Sequence, residues 1–263
     1  MRSGSRRVHL DSTSIRFTWL YAKSELRLKY RYTALGVLWN LLEPLLYLAV
    51  LSVVFSYVNK MRLSDFAVFL FSGLVPWRYF EKVVSTCTDA FVQGDWLLKR
   101  SPASPLSLPL ARWIVASVEF GFSFAAVALV LAFMKEHWTV HLIVLPLAVL
   151  PWAMAALGAG LFCATLFTFF RDIRPVVQLG LMFAFFTAPI LFNPDLFPPE
   201  SMQARLLVWH PLTHLAALFQ KPIHAERWPD AMDWALSSAT AVAALTLGSL
   251  SVQWARTRLY FYL

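Results

Sequence analysis

A chain of 263 residues that is 59% hydrophobic and only 14% charged has too little polar surface to clothe a water-soluble globule of its size. Its net charge of +8 does not point to nucleic acid, because the basic residues flank apolar stretches instead of forming a soluble basic face. The solvent that fits is lipid, which a helix of ~20 mostly apolar residues can cross.

The leader, residues 1–35, carries eight of the 23 Lys and Arg. It does not read as a cleavable signal peptide, since the first apolar run begins only near residue 38. Within it Ile15, Trp19, Ala22 and Leu26 recur at helical spacing, with Arg16, Lys23 and Arg27 on another face. That pattern predicts a cationic amphipathic helix lying in the headgroup plane, turning into the first span near Gly36. A solvated basic tail is the competing reading, and it needs no such periodicity. The collar of Arg27, Lys29, Tyr30, Arg31 and Tyr32 then abuts the span and anchors it.

Leu38–Val58 is the first predicted span, with Glu43 and Pro44 set inside it. The second, Phe66–Phe91, is purely apolar to Tyr79 and then polar; Pro76 predicts a kink, and Arg78, Glu81 and Lys82 follow at pairing distance. Between spans two and three stands "QGDWLLKRSPASP". A short apolar patch, Trp96, Leu97 and Leu98, is rimmed there by Gln93, Gly94, Asp95, Lys99 and Arg100. It reads either as a docking knob for another protein or as packing on lipid.

The third span, Leu106–Met134, holds Arg112 and Glu119 seven residues apart and therefore on one face. Charges at mid-bilayer face protein or water, so Glu43 is the expected partner of Arg112. An ion-pair network and a water-lined path both satisfy that rule. The fourth span, Leu142–Phe170, carries small residues, Ala156–Gly160, for close helix approach. Cys87 and Cys163 both fall in spans and imply no disulfide framework.

A short fifth span, Pro175–Phe192, precedes the one long loop, Asn193–Asp230, which has six prolines and an apolar piece too short to cross. We expect short re-entrant or interfacial helices there. His210 and His214 have a possible ligand spacing but no clear third ligand. Ala231–Trp254 is the sixth span.

With this division fourteen Lys and Arg fall on one side and six on the other, so both termini are expected in the cytoplasm. The expected fold is an all-α integral membrane protein: one six-span domain, residues 36–263, behind the leader. No G-x-x-x-x-G-K-[ST], G-x-S-x-G or H-E-x-x-H stretch occurs. If ATP powers this protein, the nucleotide site belongs to another polypeptide.

Four stretches, "KYRYTALGVLWNLLEPLL", "FLFSGLVPWRYF", "FFRDIRPVVQLGLMFAFFTAPILF" and "HPLTHLAALF", arrive in an order that resembles one family. It is that of the membrane subunits of bacterial ABC exporters of lipid-linked polysaccharide, such as O-antigen, capsule or teichoic acid. The resemblance runs from about residue 14 to the end; the family's usual Asn-Pro-Leu stands here as His210-Pro211-Leu212. It implies a homodimer in the bacterial inner membrane with two copies of a P-loop ABC ATPase. It places ATP and Mg²⁺ on that partner, with no cofactor on this chain, and lipid and lipid-linked glycan as further partners. It also implies a coupling helix at Gln93–Ser101, a gate role for Trp19 and the collar, and a channel along spans one and five. Trp39, Tyr47, Phe55, Phe183, Phe185 and Phe186 are the aromatics there on which sugars would stack. Two alternatives are a membrane-embedded envelope transferase, drawing on His210, His214, Asp195 and Glu200, and an ABC permease for drugs or small lipids.

Overall fold

The computed structural model describes residues 11–31, 36–59, 62–101, 103–134, 139–194, 197–198 and 200–262. Every regular element among them is helical. Helix α1 (Ser12–Tyr30) is followed by a 3₁₀ turn at Gly36–Leu38, α2 (Trp39–Asn59), α3 (Leu63–Thr88) and two short helices, α4 (Ala90–Gln93) and α5 (Asp95–Arg100). Then come α6 (Ser107–Met134), α7 (Leu145–Phe169) and α8 (Ile173–Thr187). The chain closes with α9 (Met202–Trp209), α10 (Pro211–Ile223) and α11 (Ala231–Tyr262).

Local chemistry sets several of these boundaries. Asp11 caps α1 by accepting from the Ser14 N–H at 2.8 Å. Gly36 has φ of +49°, a left-handed conformation that costs glycine little, where the chain passes from α1 toward α2. Pro211 opens α10 at a position whose N–H would be unpaired in any case. Helix α3 runs unbroken through Pro76.

Three helical segments, Ser107–Ala125, Val140–Phe169 and Ala231–Ala255, are long and apolar enough to cross a membrane; Leu45–Tyr57 and Ile173–Thr187 are shorter apolar helices. The sequence reading of six spans is thus met by three full-length candidates among the described residues. Arg78, Glu81 and Lys82 place three charges within α3. The fifth predicted span ends early: α8 stops at Thr187, and Ala188–Leu191 form a buried turn.

Helix α3 is the axis of the bundle. From Phe66 to Trp77 it is buried without a break, and it packs on α6, α7, α2 and α10. Trp77, Phe71 and Leu74 meet Trp152, Leu215, Leu218 and Phe219 in the main core. Indole donors are satisfied inside it, with Trp152 Nε1 donating to the Leu215 carbonyl at 2.8 Å and Trp113 Nε1 to that of Ala153 at 3.1 Å. A second, smaller core forms at the end of the bundle that holds α5, where Phe91, Leu108, Leu161 and Val252 gather Phe17, Tyr21 and Leu97 around them.

The most extensive contact joins α7 to α11. It is set by Gly158 and Gly248, which touch backbone to backbone, so that a Cβ on either would collide with main-chain atoms of the opposite helix. Gly180 on α8 has nothing within 4 Å of where its Cβ would stand. Gly158→Val should therefore lower the thermal unfolding midpoint of the detergent-solubilised protein, at a cost of about 1–3 kcal/mol from overpacking. Gly180→Ala should leave it unchanged or slightly raised. Equal midpoints for wild type and Gly158→Val, read by intrinsic tryptophan fluorescence, would contradict the close crossing.

Candidate functional site

Eight ionisable side chains meet where α1, α2, α3 and α6 come together. Glu119 of α6 is the deepest, its side chain only 3% exposed. It is paired with Lys29 of α1 and Lys82 of α3, and accepts from the Tyr30 hydroxyl at 2.7 Å. One helical turn toward the start of α3, Arg78 pairs with Glu43 of α2 and, at 3.3 Å, with Glu81 on its own helix. The Arg78 guanidinium also stands 4.7 Å from the centre of the Tyr47 ring. Arg112 of α6 completes the set with Glu25 of α1 at 3.0 Å.

The sequence expectation that Glu43 meets Arg112 is therefore corrected. Glu43 binds Arg78, and Arg112 binds Glu25, a residue the sequence reading did not single out. Helical spacing placed Arg112 and Glu119 on one face of α6 but carried no information on which helix would face them. The signal that was available is local: Glu25 stands one turn behind Lys29 and one turn ahead of Tyr21, on the face of α1 that turns inward.

The inward face is not the apolar stripe, which the sequence reading turned toward the headgroup plane. Ser14, Thr18 and Ala22 are buried, whereas Ile15 and Trp19 are exposed. Small residues let α1 approach α6 closely, and Ser14 fixes the contact by accepting from the Ser104 N–H at 2.9 Å. Ile15 and Trp19 are left for whatever surrounds the bundle. Arg27 and Arg31 belong to α1 and its end, and Tyr32 lies outside the described residues.

Four cations against four carboxylates make the cluster electroneutral. A cleft of about 340 Å³ opens beside it, lined by Glu43, Tyr47, Arg78, Lys82, Glu119 and Phe120 among others. A neighbouring cleft of about 370 Å³ shares Lys82 and Glu119 and reaches Glu25 and Arg112. Because every charge has a counter-charge, the arrangement acts as a seam binding α1 and α2 to α3 and α6. Outside the spans, burial pushes the Glu25 carboxyl above its ordinary range, and the Arg112 charge works against that rise.

The knob between α3 and α6 is a separate feature. Helix α5 spans Asp95–Arg100, with Asp95 and Lys99 paired along it at 2.9 Å. Trp96 points outward and is 61% exposed, while Leu97 packs on the second core. The sequence treated Trp96, Leu97 and Leu98 as one patch; the fold divides the first two between surface and core. Leu98 belongs to α5, and its side chain lies outside the described set. Gln93 and Gly94 form the elbow before α5, and Arg100 ends it exposed.

Of the aromatic candidates, Trp39, Tyr47, Phe183 and Phe186 are exposed, and no residue of α8 is buried. Phe185 stacks toward Trp77 with ring centres 5.8 Å apart, and Phe55 leans on the main core. These two are held by packing, and the other four are exposed aromatics, two on α2 and two on α8.

The loop 193–230 folds into α9 and α10, and α10 is embedded in the main core. His214 is occupied at both ring nitrogens, Nδ1 3.0 Å from Asp233 and Nε2 2.9 Å from the Val208 carbonyl. Lys221 pairs with Asp230 and Asp233 beside it. His210 approaches Thr187 at 3.4 Å, Glu200 is exposed, and Asp195 lies outside the described residues. Among the described residues no three His, Cys, Asp or Glu gather as a metal site. His214, Asp233 and Lys221 brace α10 against α11 and line a cleft of about 540 Å³ at this end, and among the described residues they assemble no nucleophile beside the His214 ring.

Comparison with known proteins matches residues 16–223 to the ABC-2 type transporter family. Among curated relatives, an O-antigen export system permease protein RfbA of Myxococcus xanthus is 28% identical over 226 residues, 86% of each chain. Another RfbA, of Klebsiella pneumoniae, is 24% identical over 195 residues, 73% of each chain. The polysialic acid transport protein KpsM of Escherichia coli is 24% identical over 204 residues, 76% of this chain and 78% of its own.

Removing the Glu119 charge tests the seam directly. Glu119→Gln strands two lysines that remain 45% and 36% exposed and can partly return to water. The cost should accordingly be about 1–2 kcal/mol, below that of a fully buried pair. We expect faster amide exchange in α1, read by hydrogen–deuterium mass spectrometry, with α7 and α11 unaffected. Unaltered exchange in α1 would mean the seam does not hold that helix.

Proposed function

The chain belongs to the ABC-2 type transporter family, and from that premise we propose that it is the membrane subunit of an ATP-driven exporter of a lipid-linked polysaccharide, O-antigen or a related glycan. A transporter permease is what the family match over residues 16–223 and its named relatives support. The substrate class comes from those relatives' names, and the exposed aromatics of α2 and α8 suit it, since sugar rings stack on aromatic faces without fixed hydrogen bonds. A polymer must slide, and such contacts let it.

In this reading α2, α3, α6, α7, α8 and α11 are the six spans, with both termini in the cytoplasm, where the excess of Lys and Arg is retained. Helix α1 then lies at the cytoplasmic interface, exposing Ile15 and Trp19 to the headgroups, and α9 and α10 re-enter from the outside. Two copies pair to enclose the conduit along α2 and α8, and each engages a P-loop ATPase that supplies ATP and Mg²⁺ chemistry. The collar residues Lys29, Tyr30 and Arg31, with Trp19 and Arg27, stand at the side of that conduit, where α1 is tied down by Glu119.

One observation carries the coupling role. A six-residue helix on the cytoplasmic end of the bundle presents Trp96 outward between Asp95, Lys99 and Arg100, an aromatic anchor rimmed by charge. Leu97 belongs to the core beneath, so the clean test is Trp96→Ala alone. The folded subunit should reach the membrane in normal amount yet lose at least tenfold in recovery of the ATPase during affinity purification, about 1.4 kcal/mol of association. Full co-purification of the ATPase with Trp96→Ala, together with undiminished export, would refute docking at this knob. The transferase alternative finds no support in the occupied ring of His214.

A further inference from the structure

The short elbow α4, with Asp89 at its start, carries the exposed helix α5 and is held by side chains from two other helices. At its start, Asp89 receives Arg174 from the first turn of α8 at 3.1 Å. One turn on, Gln93 donates through Nε2 to the same Asp89 oxygen, Oδ2, at 3.4 Å, and through Oε1 accepts from Arg112 of α6 at 3.2 Å. Arg112 in turn pairs with Glu25 of α1. Beyond α5 the chain is tied to α1 again, through the Ser104 N–H on Ser14 and the Ser107 hydroxyl on the Ser14 carbonyl at 3.4 Å. A line of polar contacts, Arg174–Asp89–Gln93–Arg112–Glu25, thus runs from α8 to α1 through the base of the knob.

We propose that Asp89, Gln93 and Arg174 are positioning residues for transport, making the α4–α5 elbow move as one body with the start of α8. Arg112 extends the link to α1. The inference rests on the reading of α5 as the ATPase docking helix and goes beyond it by naming how displacement of α5 reaches α8. Helix α8 has no buried residue and few packing partners, so apolar contact alone holds it weakly. The charged bond from Arg174 to Asp89 ties it at the α5 end.

Stability is a poor explanation for this bond. Asp89 Oδ1 is buried with no hydrogen-bond partner among the described residues, so the carboxylate is incompletely compensated. An ion pair whose cation is half exposed contributes little to stability. What a carboxylate supplies and an apolar residue does not is a directional tie to a cation on another helix.

The test uses the whole exporter with its ATPase in the native host. The Arg174 side chain is 54% exposed, so Arg174→Ala removes the bond without opening the core. Three quantities are read: ATPase co-purified, ATP hydrolysed by the purified complex, and periodate-reactive sugar at the cell surface. Arg174→Ala should assemble and hydrolyse ATP like wild type, while surface sugar falls roughly tenfold, within the usual range of a coupling effect. Arg174→Lys should restore much of the export, because a lysine keeps one charged contact. Asp89→Asn combined with Arg174→Ala should be no worse than Arg174→Ala alone, as expected for two residues acting through one bond. Unchanged export in Arg174→Ala overturns the proposal, as does a parallel fall in assembly, hydrolysis and export. An absence of ATP-dependent export from the wild-type complex would sink the parent reading, a separate failure.

Discussion

A carboxylate twelve residues into an apolar helix must find its counter-charge inside the protein, because hydrocarbon supplies none. Glu119 is that carboxylate, and much of the architecture around it follows. It draws Lys82 from α3 and Lys29 from α1, and the second of these anchors the last turn of a helix that otherwise touches the bundle through small residues, Ser14, Thr18 and Ala22. Apolar burial along that face is slight. Without the charge, α1 would keep two stitches to the segment after α5 and the Arg112–Glu25 pair. The seam thus ties the cationic helix α1 to α3 and α6.

Much of the fold was legible from one sequence because lipid imposes length and polarity so strictly. The apolar runs starting near residues 38, 106, 142 and 231 reappear as α2, α6, α7 and α11 with boundaries shifted by a few residues. Glycine spacing in Ala156–Gly160 anticipated a close crossing, although only the structure identifies Gly248 of α11 as the surface it meets. The pairing of charges was not legible. Periodicity fixes the rotation of a residue about its own helix axis, but the identity of the facing helix depends on packing order and relative depth. Glu43 and Arg112 had the right signs and the wrong neighbours. On α1 the apolar stripe was read as facing the headgroup plane, and Ile15 and Trp19 are exposed; that the small face of Ser14, Thr18 and Ala22 packs inward carried no signal in that stripe.

The two ends of the bundle are built on different physics. At the end of α9 and α10, large side chains interlock, with Phe219, Leu215 and Leu218 in the main core and Trp152 donating into α10. His214, Asp233 and Lys221 then brace α10 against α11. At the α5 end the core is small, and neighbouring elements are joined chiefly by single polar bonds between side chains. Close-packed apolar surfaces deform little, since any gap forfeits contact energy. Charged and hydrogen-bonded pairs at a partly exposed surface are individually weak and can exchange partners with water.

That difference has a mechanical consequence for a subunit driven from one side. If a partner docks at Trp96, its force enters through Asp89 and Gln93, which meet Arg174 of α8 and Arg112 of α6, and through Arg112 reaches Glu25 of α1. The end of α9 and α10 is the more closely packed, so such a displacement would pass into α8, which has no buried residue, and into α1, whose inward face is small and largely polar. A permease driven in this way would need one end that stays packed and another bound loosely enough for a partner's conformational energy to rearrange it. Glu119 sits between the two regimes, deep enough to be shielded from water yet paired with lysines that still reach it.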